Sequence, residues 1–257
     1  MLLILPPSET KQPPPASGAL LDLAGLSFPE LTPTRAVILD ALVETSSRSD
    51  AFRRLQVGPS MAEEVARNTV LPELPTLPAA ELYTGPLHEG LDPATLSPRA
   101  RARAANEVVI TSALWGALRP DDRIPPYRLH ICAHLVDMER LEPTWRAVLP
   151  ATLADAAGGD ALIVDARSPT FQAAGMPRDA ADRTVVLRVE QRTAGRRIGD
   201  VIAKRMRGQA ARELLESGAD PAAPGELEAV LGERWPVMVA PPARAGTPWT
   251  LTLFVAD

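Results

Sequence analysis

Three short runs of apolar residues constrain the fold of this chain more than any other feature. They cover residues 2–5, 108–110 and 162–164, and within each run no polar residue interrupts the apolar ones. A strand that is apolar throughout is buried on both faces, as in parallel sheets covered by helices. The runs therefore predict an α/β fold built on a central sheet.

Small polar or charged residues follow each of these runs. Ser8 to Lys11 follow the first, Thr111 and Ser112 the second, and Asp165 to Ser168 the third. In open α/β sheets, ligands bind outside the carboxyl ends of the strands, so the three polar segments are expected to share one crevice. Ser112 and Ser168 also precede predicted helices, and an ordinary N-cap role for each remains an alternative.

Periodicity and turn residues predict the remaining elements. Helices are predicted at 32–45, 52–55, 60–68, 113–118, 145–156, 204–217 and 226–231, and a last strand at 250–255. Ser60 and Glu63 are predicted to form a capping box. Residues 185–190 and 198–202 are predicted to form a hairpin about Ala194 and Gly195, and 70–98 is predicted to be mostly loop. The chain is interpreted as one domain, 1–257, with a helical hairpin at about 32–70.

Charge and composition limit the classes of function. The net charge is −5, with 27 basic and 32 acidic residues, and the only lysines are Lys11 and Lys204. Such a surface excludes broad coating of DNA, so any nucleic-acid role must be local. Apolar stretches are too short to span a bilayer, one cysteine permits no intrachain disulfide, and no secretory signal is visible. A cytoplasmic location and a monomer are the default expectations.

Several motifs, taken together, resemble those of the YaaA-like peroxide-stress protein family. They are residues 6–11 (PPSETK), 83–85 (YTG), 112–120 (SALWGALRP), 126–129 (PYRL) and 203–208 (AKRMRG), and they span nearly the whole chain in the family's order. The resemblance implies a cytoplasmic protein of the peroxide response that limits iron-driven damage. It also implies an α/β fold with a mixed central sheet, surrounding helices and a helix-hairpin-helix-like element, and a basic cleft proposed to bind DNA.

Two motifs depart from the expected patterns. Helix-hairpin-helix elements favour Gly-hydrophobic-Gly, whereas this chain has Gln56 at the first glycine, and Glu63 and Glu64 follow where they would repel phosphate. The hairpin is therefore interpreted as structural. In the last motif Ala203, Arg205 and Arg207 replace the family's common Asn, Ala and Lys, which leaves a specialised relative open as an alternative.

Two hypotheses for function follow. In the first, a local basic cleft holds DNA phosphates. In the second, the chain is an enzyme for a nucleotide-like or other small anionic substrate, with Lys11 or Lys204 as a reactive amine and Asp165 or Glu9 as general base. No cofactor is expected, and no metal site, because His130, Cys132 and His134 have too few partners. The candidate ligand-binding residues are Ser8, Thr10, Lys11, Tyr83, Thr84, Gly85, Ser112, Arg119, Tyr127, Arg128, Ser168, Lys204 and Arg207.

Overall fold

A computed structural model describes residues 1–138, 140–192 and 198–255. The strands are β1 (Leu2–Leu5), β2 (Leu77–Pro78), β3 (Val108–Ser112), β4 (Gly116–Leu118), β5 (Arg123–Ile124), β6 (Ile163–Asp165), β7 (Thr184–Gln191), β8 (Val237–Ala240) and β9 (Trp249–Val255). The helices are α1 (Thr32–Ser47), α2 (Ala51–Leu55), α3 (Ala62–Asn68), α4 (Ala79–Leu82), α5 (Pro86–Leu91), α6 (Pro98–Glu107), α7 (Leu141–Arg146), α8 (Leu149–Ala157), α9 (Pro169–Gly175), α10 (Asp200–Glu216) and α11 (Pro224–Gly232).

A seven-stranded mixed sheet organises these elements, in the order β4-β3-β1-β6-β7-β9-β8. Strands β3, β1, β6, β7 and β9 are parallel, while β4 and β8 run antiparallel at the two edges. All residues of β1, β3 and β6 are buried. The predicted α/β class with a mixed sheet and surrounding helices is confirmed.

The position of β1 in this order creates a crevice. The chain passes from β1 to β3 on one side, and later returns to β6 on the other side, where Ile4 lies beside Asp165. Loops that leave neighbouring strands in opposite directions open a gap at the carboxyl ends, and ligands bind in such gaps. The three polar segments that follow the apolar runs therefore reach one edge of the sheet.

The segment after β3 turns back as a strand, so the helix predicted at 113–118 is wrong. The Ser112 hydroxyl accepts the backbone N–H groups of Leu114 and Trp115, which closes a tight turn. Gly116 then adopts φ +73°, and a Cβ there would overlap the Trp145 ring. Glycine adopts this left-handed conformation without steric cost, which lets β4 pair with β3.

Four further predictions differ from the structure. Residues 200–202 begin α10 rather than forming a hairpin strand, and the predicted turn at Ala194 and Gly195 lies outside the described residues. Among the residues that the structure describes, no side-chain hydrogen bond caps α3, so the predicted Ser60–Glu63 capping box is wrong. The helix predicted at 145–156 is divided into α7 and α8. The segment predicted as loop contains α4 and α5, and α6 follows it.

Two glycines set the spacing of α5 and α10, which pack together. A Cβ on Gly208 would overlap the Leu87 carbonyl oxygen, and a Cβ on Gly90 would overlap the Arg205 carbonyl oxygen. The two backbones therefore lie closer than any side chain allows. This packing fixes the residues of the 203–208 motif relative to α5.

The helices of the described residues bear on two further predictions, the absence of a membrane span and the helical hairpin at about 32–70. No helix of the described residues is long and apolar enough to cross a membrane. In the predicted helical hairpin, Gln56 lies between α2 and the turn that precedes α3, with φ +56°, the conformation that favours glycine.

Candidate functional site

A short ladder positions Lys11 beyond the end of β1. Lys11 forms an antiparallel bridge with Tyr83, and the Thr84 N–H donates to the Thr10 carbonyl at 3.1 Å. The Ser8 hydroxyl accepts the Thr10 N–H, which shapes the turn. A Cβ on Gly85 would overlap that hydroxyl, so the YTG motif needs its glycine for close approach to residues 6–11.

The Lys11 ammonium is the most unusual charged group of this region. Its Nζ donates to the Ser8 carbonyl at 2.8 Å and lies 4.3 Å from the centroid of the Tyr127 ring and 5.6 Å from that of Tyr83. Burial lowers the pKa of Lys11 to about 8, although the charge of Glu9 acts in the opposite direction. It makes no other hydrogen bond or ion pair with the described residues, so two N–H donors remain for a ligand.

Three buried hydroxyl groups form a hydrogen-bonded chain beside this ammonium. The Tyr83 and Tyr127 oxygens are 2.9 Å apart, and the Tyr127 oxygen is 2.6 Å from the Ser112 hydroxyl. Burial raises the pKa of Tyr127 to about 12 and raises that of Tyr83 well above 10. Both phenols are therefore neutral at physiological pH, and each keeps a proton that it can donate. The chain joins the end of β3 to the YTG and PYRL motifs.

Arg128 is held by two carboxylates, so its charge is balanced within the protein. Its Nε donates to Glu64 at 2.6 Å and its Nη1 donates to Glu9 at 2.8 Å. The buried Asn68 side chain bonds both the N–H and the carbonyl of Arg128, which fixes the backbone. Sequence reasoning missed Glu64 and Asn68 as members of this cluster, because only the fold brings α3 to the PYRL segment.

His88 is a further member that sequence reasoning missed. It is 3% exposed, its Nε2 lies 3.1 Å from the Pro6 carbonyl, and its ring is 5.3 Å from that of Tyr83. Burial lowers the pKa of His88 to about 4, so the ring is neutral and donates from Nε2. His88, Tyr83 and Thr84 also line a cleft of about 680 Å³ between α4, α5 and α6.

Asp165, the predicted general base, lies in a buried ion pair at the end of β6. Both of its oxygens accept from Arg167, at 2.9 Å from Nε and 2.7 Å from Nη2, and neither side chain is exposed. Arg167 also donates to the carbonyl of Gly175. Ser168 is half-buried at the N-cap position of α9 and makes no capping hydrogen bond with the described part of the chain.

The predicted basic residues do not all converge. Arg119 donates to the Asn106 and Val108 carbonyls, at the start of β3, whereas Ser112 lies about 13 Å away at its end. Lys204 pairs with Asp200 at 2.6 Å on the exposed side of α10. Arg207 is half-buried, and the charges of Asp200 and Asp165 act on it. The structure thus gathers Ser8, Thr10, Lys11, Tyr83, Thr84, Gly85, Ser112, Tyr127 and Arg128, with Ser168 and Arg207 near the end of β6.

No group of three or more metal-ligating side chains occurs in the residues that the structure describes. His130 instead accepts the backbone N–H of Cys132 through Nδ1, and Cys132 is exposed.

Comparisons with known proteins agree with the motif analysis. A family model described as peroxide stress protein YaaA matches residues 1–235. A UPF0246 protein of Streptomyces coelicolor is 39% identical over 261 residues, which span 100% of this chain and 99% of the relative. A UPF0246 protein of Corynebacterium efficiens is 40% identical over 88% of this chain and 90% of the relative. A UPF0246 protein of Corynebacterium glutamicum is 36% identical over 84% of this chain and 86% of the relative. The chain belongs to the YaaA peroxide stress protein family.

Proposed function

We propose that this chain is an enzyme for a small molecule, with the Lys11 amine as its reactive group. The observation that carries the proposal is the state of that amine: a half-buried ammonium whose pKa burial lowers, with one hydrogen bond, to Ser8, and no ion pair among the residues that the structure describes. Such a charge is unfavourable for stability, and groups of this kind cluster at functional sites. The crevice at the carboxyl end of β1 supplies the expected location.

The lowered pKa makes Lys11 chemically competent near neutral pH. With a pKa of about 8, roughly a quarter of the amine is neutral at pH 7.5, against about 0.1% for an exposed lysine. Only the neutral amine is a nucleophile. We propose that it attacks the carbonyl carbon of the substrate.

The hydroxyl chain supplies the proton transfers for this step. The Nζ lone pair forms the C–N bond while the carbonyl π electrons move to oxygen, which takes a proton from Tyr127. The nitrogen gives up one proton, which the Tyr83–Tyr127–Ser112 chain returns to the phenol. Water, formed from the new hydroxyl group and the remaining proton on nitrogen, then leaves, and an imine remains on Lys11.

The two lysines allow a direct test of the amine. Acetylation with limiting acetic anhydride, followed by peptide mass analysis at pH 6–10, should give a midpoint near 8 for Lys11. Lys204, whose side chain is 44% exposed and paired with Asp200, is the internal control within the same molecule. A Lys11 midpoint at or above that of Lys204 would contradict the proposal.

The family is described by its role in peroxide stress, and we propose that the chemistry of Lys11 serves the response to hydrogen peroxide in the cytoplasm. In a bacterial strain that lacks its own family member, the chain should restore survival of a peroxide challenge. Lys11→Arg keeps the charge but has no accessible neutral form, and it should not restore survival. Equal rescue by Lys11→Arg would show that the amine is not required.

The competing proposal is a cleft for DNA phosphates that limits iron-driven damage. The charge balance favours the small ligand, because Glu9 and Glu64 offset Lys11 and Arg128, Asp200 offsets Lys204, and Arg119 lies at the start of β3.

A further inference from the structure

Arg207 has unmet hydrogen-bonding capacity. Its guanidinium is half-buried, its Nε is shielded from solvent without an acceptor, and it forms no ion pair within residues 1–138, 140–192 and 198–255. Burying such a donor without a partner destabilises the protein. A half-buried guanidinium in this state is suited to an acceptor that comes from a ligand.

The charges near Arg207 are already cancelled by other groups. Asp165 and Asp200 are the two carboxylates whose charges act on it. Arg167 holds both oxygens of Asp165, and Lys204 pairs with Asp200 at 2.6 Å. The positive charge of Arg207 is therefore left uncompensated locally, although the molecule as a whole is acidic.

The charge of Asp165 acts on Arg207, which indicates that Arg207 lies near the end of β6, at the same edge of the sheet as Lys11. Asp165 ends β6, the strand beside β1, and Lys11 follows β1. Neighbouring strands lie about 5 Å apart, so these strand ends flank one crevice. Helix α5 connects the segments that carry the two residues. Gly208, next to Arg207, packs on Leu87 of α5, and His88 of α5 donates to the carbonyl of Pro6, at the start of the 6–11 segment.

We propose that Arg207 binds an oxyanion group, a phosphate or a carboxylate, of the same small molecule whose carbonyl carbon meets Lys11. This inference rests on the proposed function and names its substrate class: an aldehyde or ketone that carries an anionic group. The planar fork of arginine matches either oxyanion with two parallel hydrogen bonds.

Reductive trapping with matched aldehydes tests this. The protein is treated with glyceraldehyde 3-phosphate or glyceraldehyde, and with succinic semialdehyde or butanal, each with cyanoborohydride, and the rate of labelling at Lys11 is followed by peptide mass analysis. We expect at least one anionic aldehyde to label Lys11 about tenfold faster than its neutral partner, the range of one charge-assisted hydrogen bond. The preferred pair distinguishes phosphate from carboxylate.

Arg207→Gln should remove this preference, and a far-UV circular dichroism spectrum that matches the parent protein's shows that the variant is folded. Arg207→Lys should retain part of the preference for the anionic aldehyde. Arg205 is exposed on the same helix and pairs with Glu89, so Arg205→Gln serves as the matched control. This variant should keep the preference for the anionic aldehyde.

The outcomes separate the two proposals. Labelling of Lys11 without an anionic preference, or with a preference that survives in Arg207→Gln, overturns the assignment of Arg207 alone. Labelling of Lys11 no faster than Lys204 by every aldehyde overturns the Lys11 chemistry as well.

Discussion

At the scale of single residues, the site consists of groups held in forms that cost stability. Lys11 is a half-buried cation whose pKa burial lowers, and His88 is neutral with a buried Nδ1 that has no partner in the part of the chain that the structure describes. Each is fixed by one hydrogen bond to a carbonyl of the 6–8 segment. Both should therefore appear in the pH dependence of the free energy of unfolding.

Lys11 should make the protein gain stability with rising pH. Its pKa is about 8 when folded and 10.5 in an exposed chain, so the unfolded state binds more protons between these values. Relative to Lys11→Met, the parent protein should gain about 2 kcal/mol of unfolding free energy between pH 7 and 10. Urea unfolding of both proteins at several pH values measures this difference. A difference that stays constant across the range would show that the ammonium is not desolvated.

His88 should make the protein lose stability in acid. Its pKa is about 4 when folded and 6.5 when exposed, so the unfolded state takes up the proton first as the pH falls below about 6.5. The expected loss is about 2–3 kcal/mol by pH 4. His88→Gln keeps a donor near the Pro6 carbonyl and cannot titrate, so its stability should fall less over the same range. Parallel curves for the two proteins would refute this account.

At the scale of elements, the apolar runs predict β1, β3 and β6 correctly because strands buried on both faces carry a strong signal. Helix α6 escapes prediction because it buries only Ala100 and Ala104 and so shows almost no apolar stripe, although Ser97 caps it. The turn after β3 is not predicted from the sequence because its conformation depends on Trp145, which is distant along the chain. The motifs single out Lys11, Tyr83 and Tyr127, which the structure brings together, whereas the positions of Glu64 and His88 beside them follow only from the fold.

The close contact between α5 and α10 depends on Gly208. In Gly208→Ala, the added Cβ overlaps backbone atoms of Leu87 and Leu91, which cannot move as a side chain does. We expect a loss of about 2–4 kcal/mol, against the gain of up to about 1 kcal/mol that alanine gives in an open helix. Gly225→Ala in α11, where nothing lies within 4 Å, is the matched control. Thermal unfolding distinguishes the two, and a neutral Gly208→Ala would show that the helices separate easily.

At the scale of the whole molecule, the distribution of charge decides between the two kinds of ligand. The net charge is −5, and most of the basic residues that the motifs single out are offset or engaged elsewhere in the structure. A DNA phosphate backbone needs several uncompensated cations along its length, whereas one small oxyanion needs one. The acidic surface repels a polyanion over about 8 Å at physiological salt.

We therefore expect weak binding of duplex DNA. In a gel-shift assay at about 150 mM salt, a 30-base-pair duplex should not be retained at micromolar protein, while either glyceraldehyde 3-phosphate or succinic semialdehyde, whichever labels Lys11 preferentially, should raise the melting temperature in a saturable way. The rise should vanish in Arg207→Gln and persist in Arg205→Gln. Retention of DNA that weakens steeply with salt and is lost on replacing Arg207 or Lys204 would reverse the assignment, because counterion release on that scale requires a row of phosphate contacts rather than one.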